Sequence, residues 1–259
     1  MRIVALVKCV PEPTATWRFA DDLTLDRSAV DGRLSELDEY AIEQAARLVE
    51  AGVATEVSYL TMGPAPAVDA LRKALAMGGD RAVHVLDDAI HGSDAVTTSL
   101  ILATAIKRMG FDMVICGMAS TDAEMSVVPV MVADRLGVPA LVNAAAVRVD
   151  GSSVTVRRDT DDATEEVVAT LPALISVTDR SGDPRYPSFK AIIAGKKKPI
   201  ATWSLSELDI ASERAGGAAA ATVVRTVRPR PPRPPGTVVV DEGDAAVRLA
   251  DFLVANKLL

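Results

Sequence analysis

Residues 112–137, DMVICGMASTDAEMSVVPVMVADRLG, leave few architectures open to this chain. Asp112 to Cys116 is a short apolar run stopped by Gly117, the pattern of a strand buried on both faces in the middle of a parallel sheet. A polar loop from Gly117 to Asp122 follows, then a helix of apolar and small residues ending at Arg135, Leu136 and Gly137. A helix that starts over a strand's carboxyl end offers free backbone N–H groups and a positive dipole end. Ligands bind at that place in open α/β sheets, and an anionic phosphate suits it best. The same residues also fit a plain strand-to-helix corner capped by Asp122.

The rest of the chain repeats the alternation. Strands are predicted over 2–8, 54–62, 81–87 and 140–150, and helices over 38–51, 67–77 and 94–109. Ser35 with Asp38 resembles a capping box for the first helix, and Ser93 is placed to cap the third. Strands alternating with helices give a parallel sheet. Beyond residue 150 the pattern changes: SSVTVRR, EEVVAT and PALISVTD alternate like antiparallel strands, which would extend the sheet with an antiparallel edge. The expected fold is thus α/β, a Rossmann-like open parallel sheet with added antiparallel strands and a C-terminal arm plus helix. Residues 1–208 form the α/β domain. The remainder, 209–259, holds an Ala-, Gly-, Arg- and Pro-rich stretch over 211–237, which reads as a polyproline-like arm. A tail helix over 243–259 carries Val247, Leu249, Ala250, Phe252, Leu253 and Val254. Arm and helix either dock on a partner subunit or pack back on their own domain.

Composition narrows the function. A net charge of −7 and a pI near 5.0 argue against nucleic acid or an anionic membrane as the main partner. Cys9 and Cys116 read as buried thiols in a reducing compartment, and no Cys or His cluster has metal-ligand spacing. MRIVALVKCVPEP is too short for a signal peptide, so the cytoplasm is expected. Neither G-x-G-x-x-G nor G-x-x-x-x-G-K-[ST] occurs, so a nucleotide would bind without either glycine signature. No catalytic acid–base pair or nucleophile stands out. That silence fits an electron carrier whose cofactor does the chemistry.

Several ordered stretches resemble the beta subunit of electron transfer flavoprotein: LVKCVPEP, DEYAIEQAARL, LTMGP, ALRKALAMGGDRAVHV, HGSDAVTTSLILA and PRYPSFKAIIAGKKKPI. Arg158, Asp161, Asp162, Glu165, Val167 and Pro172 fit that family's central pattern, with Ala163 off type. The resemblance covers roughly residues 1–200 and implies an adenine nucleotide hydrolase-like sheet and a heterodimer with an alpha subunit. It further implies FAD held mainly by that alpha subunit and a structural AMP in this chain. By matching position the AMP site would take Leu6, then Ser35, Glu36, Leu37 and Asp38, then Met62. It continues through the loop of Gly117, Met118, Ala119, Ser120, Thr121, Asp122, Ala123, Glu124, Met125, Ser126, Val127 and Val128. The phosphate would lie on backbone N–H groups near Ser126, Val127 and Val128. Glu124 stands where the family pattern has a second Asp, and Val127 where it has Gln. Each neutral hydrogen bond so lost costs about 1 kcal/mol of nucleotide affinity.

The resemblance also implies a recognition loop, at about 184–198, that meets acyl-CoA or related dehydrogenases. It has Phe189 as apolar anchor with Pro184, Arg185, Tyr186 and Lys190 around it, and Lys196, Lys197 and Lys198 to steer an acidic partner. Electrons would then pass through FAD to a quinone reductase (the family's quinone oxidoreductase) or another acceptor. Two alternatives remain at this point: a bifurcating member with a second FAD in the AMP site, and a free nucleotide-binding stress-type sensor.

Overall fold

The computed structural model describes residues 1–228, 230–233 and 235–259, in two compact units, Met1–Arg225 and Thr226–Leu259. In the first, β1 (Arg2–Leu6) buries every residue after Arg2. A short hairpin of β2 (Cys9–Pro11) and β3 (Gly32–Leu34), which the sequence pattern had not announced, leads into α1 (Glu36–Glu50). Then come β4 (Glu56–Met62), α2 (Val68–Met77), β5 (Arg81–Val85), α3 (Ala95–Met109) and β6 (Met113–Gly117), whose five residues are all buried. α4 (Val128–Leu136) and β7 (Ala140–Ala144) follow.

The middle of the chain departs from the sequence pattern in two places. The single strand over 140–150 is two strands: β7, and β8 (Ala146–Asp150), which belongs to a different sheet. Asn143 takes φ 61°, a conformation Asn tolerates, and the Ala145 N–H turns to Arg157 O at 2.7 Å. Second, β9 (Ser153–Asp159) and β10 (Thr164–Thr170) do not extend the main sheet; they form a separate antiparallel sheet with β8. β11 (Ala173–Val177) is not antiparallel either. It inserts between β6 and β7, parallel to both. All five of its residues are buried, a run that only an inner strand can satisfy.

α5 (Phe189–Lys197) packs on α2, and β12 (Ile200–Trp203) closes the sheet's other edge. The parallel sheet therefore has the order β12-β5-β4-β1-β6-β11-β7. One face buries Ile3, Ala5, Tyr59 and Ile115 under α1 and α2, and the other buries Val4, Leu60, Val114 and Leu174 under α3 and α4. Asp94, not Ser93, caps α3: its carboxylate accepts the Thr97 N–H at 3.0 Å, while the Ser93 hydroxyl donates back to Ile90 O. Residues 204–222 finish the unit with short turns and the one-turn α6 (Gly216–Ala219), burying Leu205, Leu208, Ile210 and Ala215. The unit Thr226–Leu259 contains α7 (Ala245–Ala255), whose Val247, Leu249, Phe252 and Val254 are exposed. No helix of the described residues is long and apolar enough to cross a membrane.

Candidate functional site at the carboxyl edge of the sheet

The chain leaves β1 on one side, towards β4 and β5, and returns on the other at β6. This reversal makes the carboxyl ends of β1 and β6 a topological switch point, where open α/β sheets form their ligand crevice. Asp38, in the first turn of α1, joins these two ends. One carboxylate oxygen accepts the Lys8 N–H at 2.8 Å, just past β1, and the other accepts the Gly117 N–H at 3.3 Å, at the end of β6. Burial pushes the Asp38 carboxyl up to about 7 in spite of those donations. The capping box with Ser35 consequently does not form, because the amides of two strand ends have taken the carboxylate.

Ser35 is the N-cap residue of α1 yet makes no side-chain cap. It is 0% exposed, and its hydroxyl has no hydrogen-bond partner among the described residues; the Thr121 hydroxyl is likewise buried without one. A buried hydroxyl left unpaired costs about 1–3 kcal/mol. The absence of a Cβ at Gly117 lets the start of α1 pack directly on the end of β6: one added there would meet Asp38 Oδ1 and the Leu37 carbonyl at 2.8 Å.

The loop after β6 is longer than the sequence pattern implied. The helix starts at Val128, not directly after Asp122, because Glu124 and Ser126 take φ 49° and 55°, outside any right-handed helix, and Pro129 occupies the first turn. Asp122 therefore caps nothing. Its side chain, 2% exposed, pairs with Lys8 Nζ at 2.8 Å and Arg27 Nη2 at 2.6 Å. Burial alone would raise its carboxyl, but the Lys8 charge and the hydrogen bonds around it hold it at about 2. The Lys8 ammonium also donates to Ser120 Oγ at 3.1 Å. At the start of α4 the N–H groups of Val128 and Val130 have no partner within the helix, and Pro129 has none to offer. Val127 and Val128 bring backbone donors and no polar side chain.

Leu6 and Met62 end β1 and β4, Ser35 to Asp38 open α1, and Gly117 to Val128 run from the end of β6 into α4. Lys8 and Arg27 were missing from the sequence-derived set. Lys8 could have been found as the first basic residue after β1; Arg27 lies in an irregular segment and gave no signal. Burial pushes both thiols up, so Cys116 (buried) and Cys9 (half-buried) are not activated nucleophiles.

The second set of residues lies around the start of α5. Tyr186 and Phe189 are 94% and 79% exposed. Arg185 is engaged in the fold: its guanidinium pairs with Glu43 at 2.7 Å and with Glu50 at 2.5 Å, both on α1. Burial would raise the Glu43 carboxyl, but hydrogen bonds from Arg185 and Arg47 bring it down to about 2. Lys198 also turns inward, donating to Leu75 O and Gly78 O, whereas Lys196 and Lys197 make no such bond among the described residues.

An open Rossmann-like parallel sheet with a topological switch point between β1 and β6, and with buried, unpaired hydroxyls at its carboxyl edge, defines the class of α/β protein to which this chain belongs. A family model described as electron transfer flavoprotein domain matches residues 22–208. Over 263 residues the chain is 40% identical to electron transfer flavoprotein subunit beta of Mycobacterium tuberculosis, and equally to that of Mycobacterium leprae, with 99% of each chain covered. The same subunit of Megasphaera elsdenii is 29% identical over 270 residues, with all of both chains covered. The chain belongs to the electron transfer flavoprotein family, as one of its beta subunits.

Proposed function

We propose that this chain pairs with an alpha subunit, holds a structural AMP in the crevice between β1 and β6, and helps carry electrons from acyl-CoA-type dehydrogenases to a quinone reductase. FAD, held mainly by the alpha subunit, supplies the redox chemistry in this reading. The observation that carries the nucleotide assignment is the fully buried Ser35 hydroxyl without a partner at the start of α1. With the unpaired Thr121 hydroxyl and the open N-terminus of α4, it forms the donor and acceptor set that a ribose and a phosphate require. Lys8 and Arg27 hold the loop through Asp122, so the phosphate relies on backbone N–H groups, and Val127 and Val128 add no further hydrogen bond.

The nucleotide content of the chain purified with its alpha subunit tests this reading. One AMP and one FAD per heterodimer is the expected result. Two FAD without AMP would favour the bifurcating type, and FAD without any AMP would mean that the crevice has lost its ligand. Absence of both complex and flavin would overturn the reading.

Ser35→Ala separates site from scaffold. The hydroxyl bonds nothing among the described residues, so its removal is expected to leave urea stability of the nucleotide-free chain unchanged or slightly raised. AMP affinity, measured by calorimetry, is expected to fall about fivefold, one neutral hydrogen bond's worth.

Phe189 and Tyr186 are assigned to dehydrogenase docking. Two large exposed rings held on a segment pinned to α1 by Arg185 have the character of binding hot spots. Phe189→Ala is expected to weaken the dehydrogenase complex by about 2 kcal/mol, roughly thirtyfold. An exposed side chain contributes little to the fold, so the melting temperature should stay within about 2 °C. An equal KM for the carrier in a coupled dehydrogenase assay, wild type against variant, would remove Phe189 from the interface.

A further inference from the structure

The α/β unit ends in a built attachment, and the carboxylate at its centre has two separate tasks. One oxygen of Asp94 caps α3 through the Thr97 N–H at 3.0 Å. The other oxygen collects three donors from the start of the arm: the Ala221 N–H at 2.8 Å, the Thr222 N–H at 3.0 Å and the Thr222 hydroxyl at 3.1 Å. The preceding turn is tied to the same loop. Gly217 N–H donates to His91 O at 2.9 Å, and Gly216 N–H to Ser93 Oγ at 3.0 Å. Gly216 takes φ 68°, and a Cβ there would lie 2.4 Å from Ala89 O, so the backbones touch at a distance no other residue permits. Directly after Thr222 the pattern changes, and Val223 and Val224 are exposed.

Capping α3 requires one oxygen. The second is an ionised acceptor shared by three donors, stronger than neutral bonds of the same number, and it acts on residues that add no apolar core beyond Ala215. We propose that Asp94 is a positioning residue for the C-terminal arm, clamping its root to the start of α3 so that the arm leaves the α/β unit from one fixed point for docking. The inference rests on the reading in which the arm and α7 engage the alpha subunit. A fixed root removes conformations that would otherwise be lost on docking, and it holds the arm's local concentration near its receiving surface.

Asp94→Asn in the full chain isolates the clamp. Asn caps a helix as well as Asp, but its Nδ2 donates where Oδ2 accepted, so the cap remains and the clamp opens. Hydrogen exchange at the Ala221 and Thr222 amides is expected to rise at least tenfold, with a melting temperature within about 4 °C of wild type. Affinity for the alpha subunit, titrated on immobilised alpha subunit, is expected to fall about tenfold. Gly216→Ala displaces the same root with Asp94 intact and should give the same loss. The proposal is overturned if the two amides remain protected, or if they exchange freely while affinity is unchanged in both variants. Deletion of residues 226–259 distinguishes the two levels. If it abolishes association while Asp94→Asn has no effect, only the clamp fails; if it leaves association intact, the arm-docking reading fails with it.

Discussion

Gly117→Ala is expected to lower stability by about 3 kcal/mol, a fall of about 6–12 °C in melting temperature for a unit of this size. The new methyl would lie 2.8 Å from Asp38 Oδ1 and 2.8 Å from the Leu37 carbonyl carbon and oxygen. Neither neighbour can give way cheaply. Leu37 contributes backbone at the start of α1, and the Asp38 carboxylate is held by the amides of Lys8 and Gly117 itself. Relief requires α1 to back away from β6, which would open the crevice and break the Asp38 link between the ends of β1 and β6. Nucleotide content should therefore fall together with stability. Gly236→Ala is the control, since a Cβ there meets nothing within 4 Å among the described residues, and it should be close to neutral. Equal denaturation midpoints for Gly117→Ala and wild type would show that α1 moves more freely than this packing implies.

Asp122→Asn is expected to cost about 2 kcal/mol at pH 7 and only a small fraction of that at pH 2. The side chain is 2% exposed and carries the counter-charge for both Lys8 and Arg27, so neutralising it leaves two cations facing each other across the loop. The sign follows from its depressed carboxyl, at about 2 in the fold against an ordinary 3.8. The stabilisation is present above about pH 4 and is lost as pH falls towards and through 2; only below that do wild type and variant both carry a neutral side chain. Urea midpoints for both proteins from pH 7 to pH 2 read this directly. A constant gap across that range would mean that shape, not charge, makes Asp122 important. The loop over 118–127 should lose order first, visible as faster amide exchange at Glu124, whose N–H bonds Ser120 O at 2.9 Å.

Much of the architecture could be read from short-range pattern. β1, β4, β5 and β6 are compact apolar runs, α1 to α3 show helical spacing between them, and that alternation admits little except a parallel sheet. The carboxyl edge on which the candidate site is placed was legible for the same reason, since a glycine and polar residues after a buried strand mark such an edge. The errors fell where one local pattern serves two long-range partners. PALISVTD follows two alternating strands and matches them in pattern, yet the five buried residues of β11 within it fill the slot between β6 and β7. The strand over 140–150 is continuous in pattern and is divided in space at Ala145.

The site itself divides along the same line. Residue types alone pointed to Ser35, Asp38 and Asp122 and gave each a local role, as cap or capping partner. In the fold Asp38 bonds amides 30 and 79 residues away, Asp122 pairs with Lys8 and Arg27, and Ser35 is left with a buried, unpaired hydroxyl. Periodicity is a property of neighbours along the chain, and it carries strands, helices and their apolar faces. Which buried amide or charge a carboxylate satisfies depends on every element that packing brings within 3 Å of it, and no local pattern in the chain records that competition.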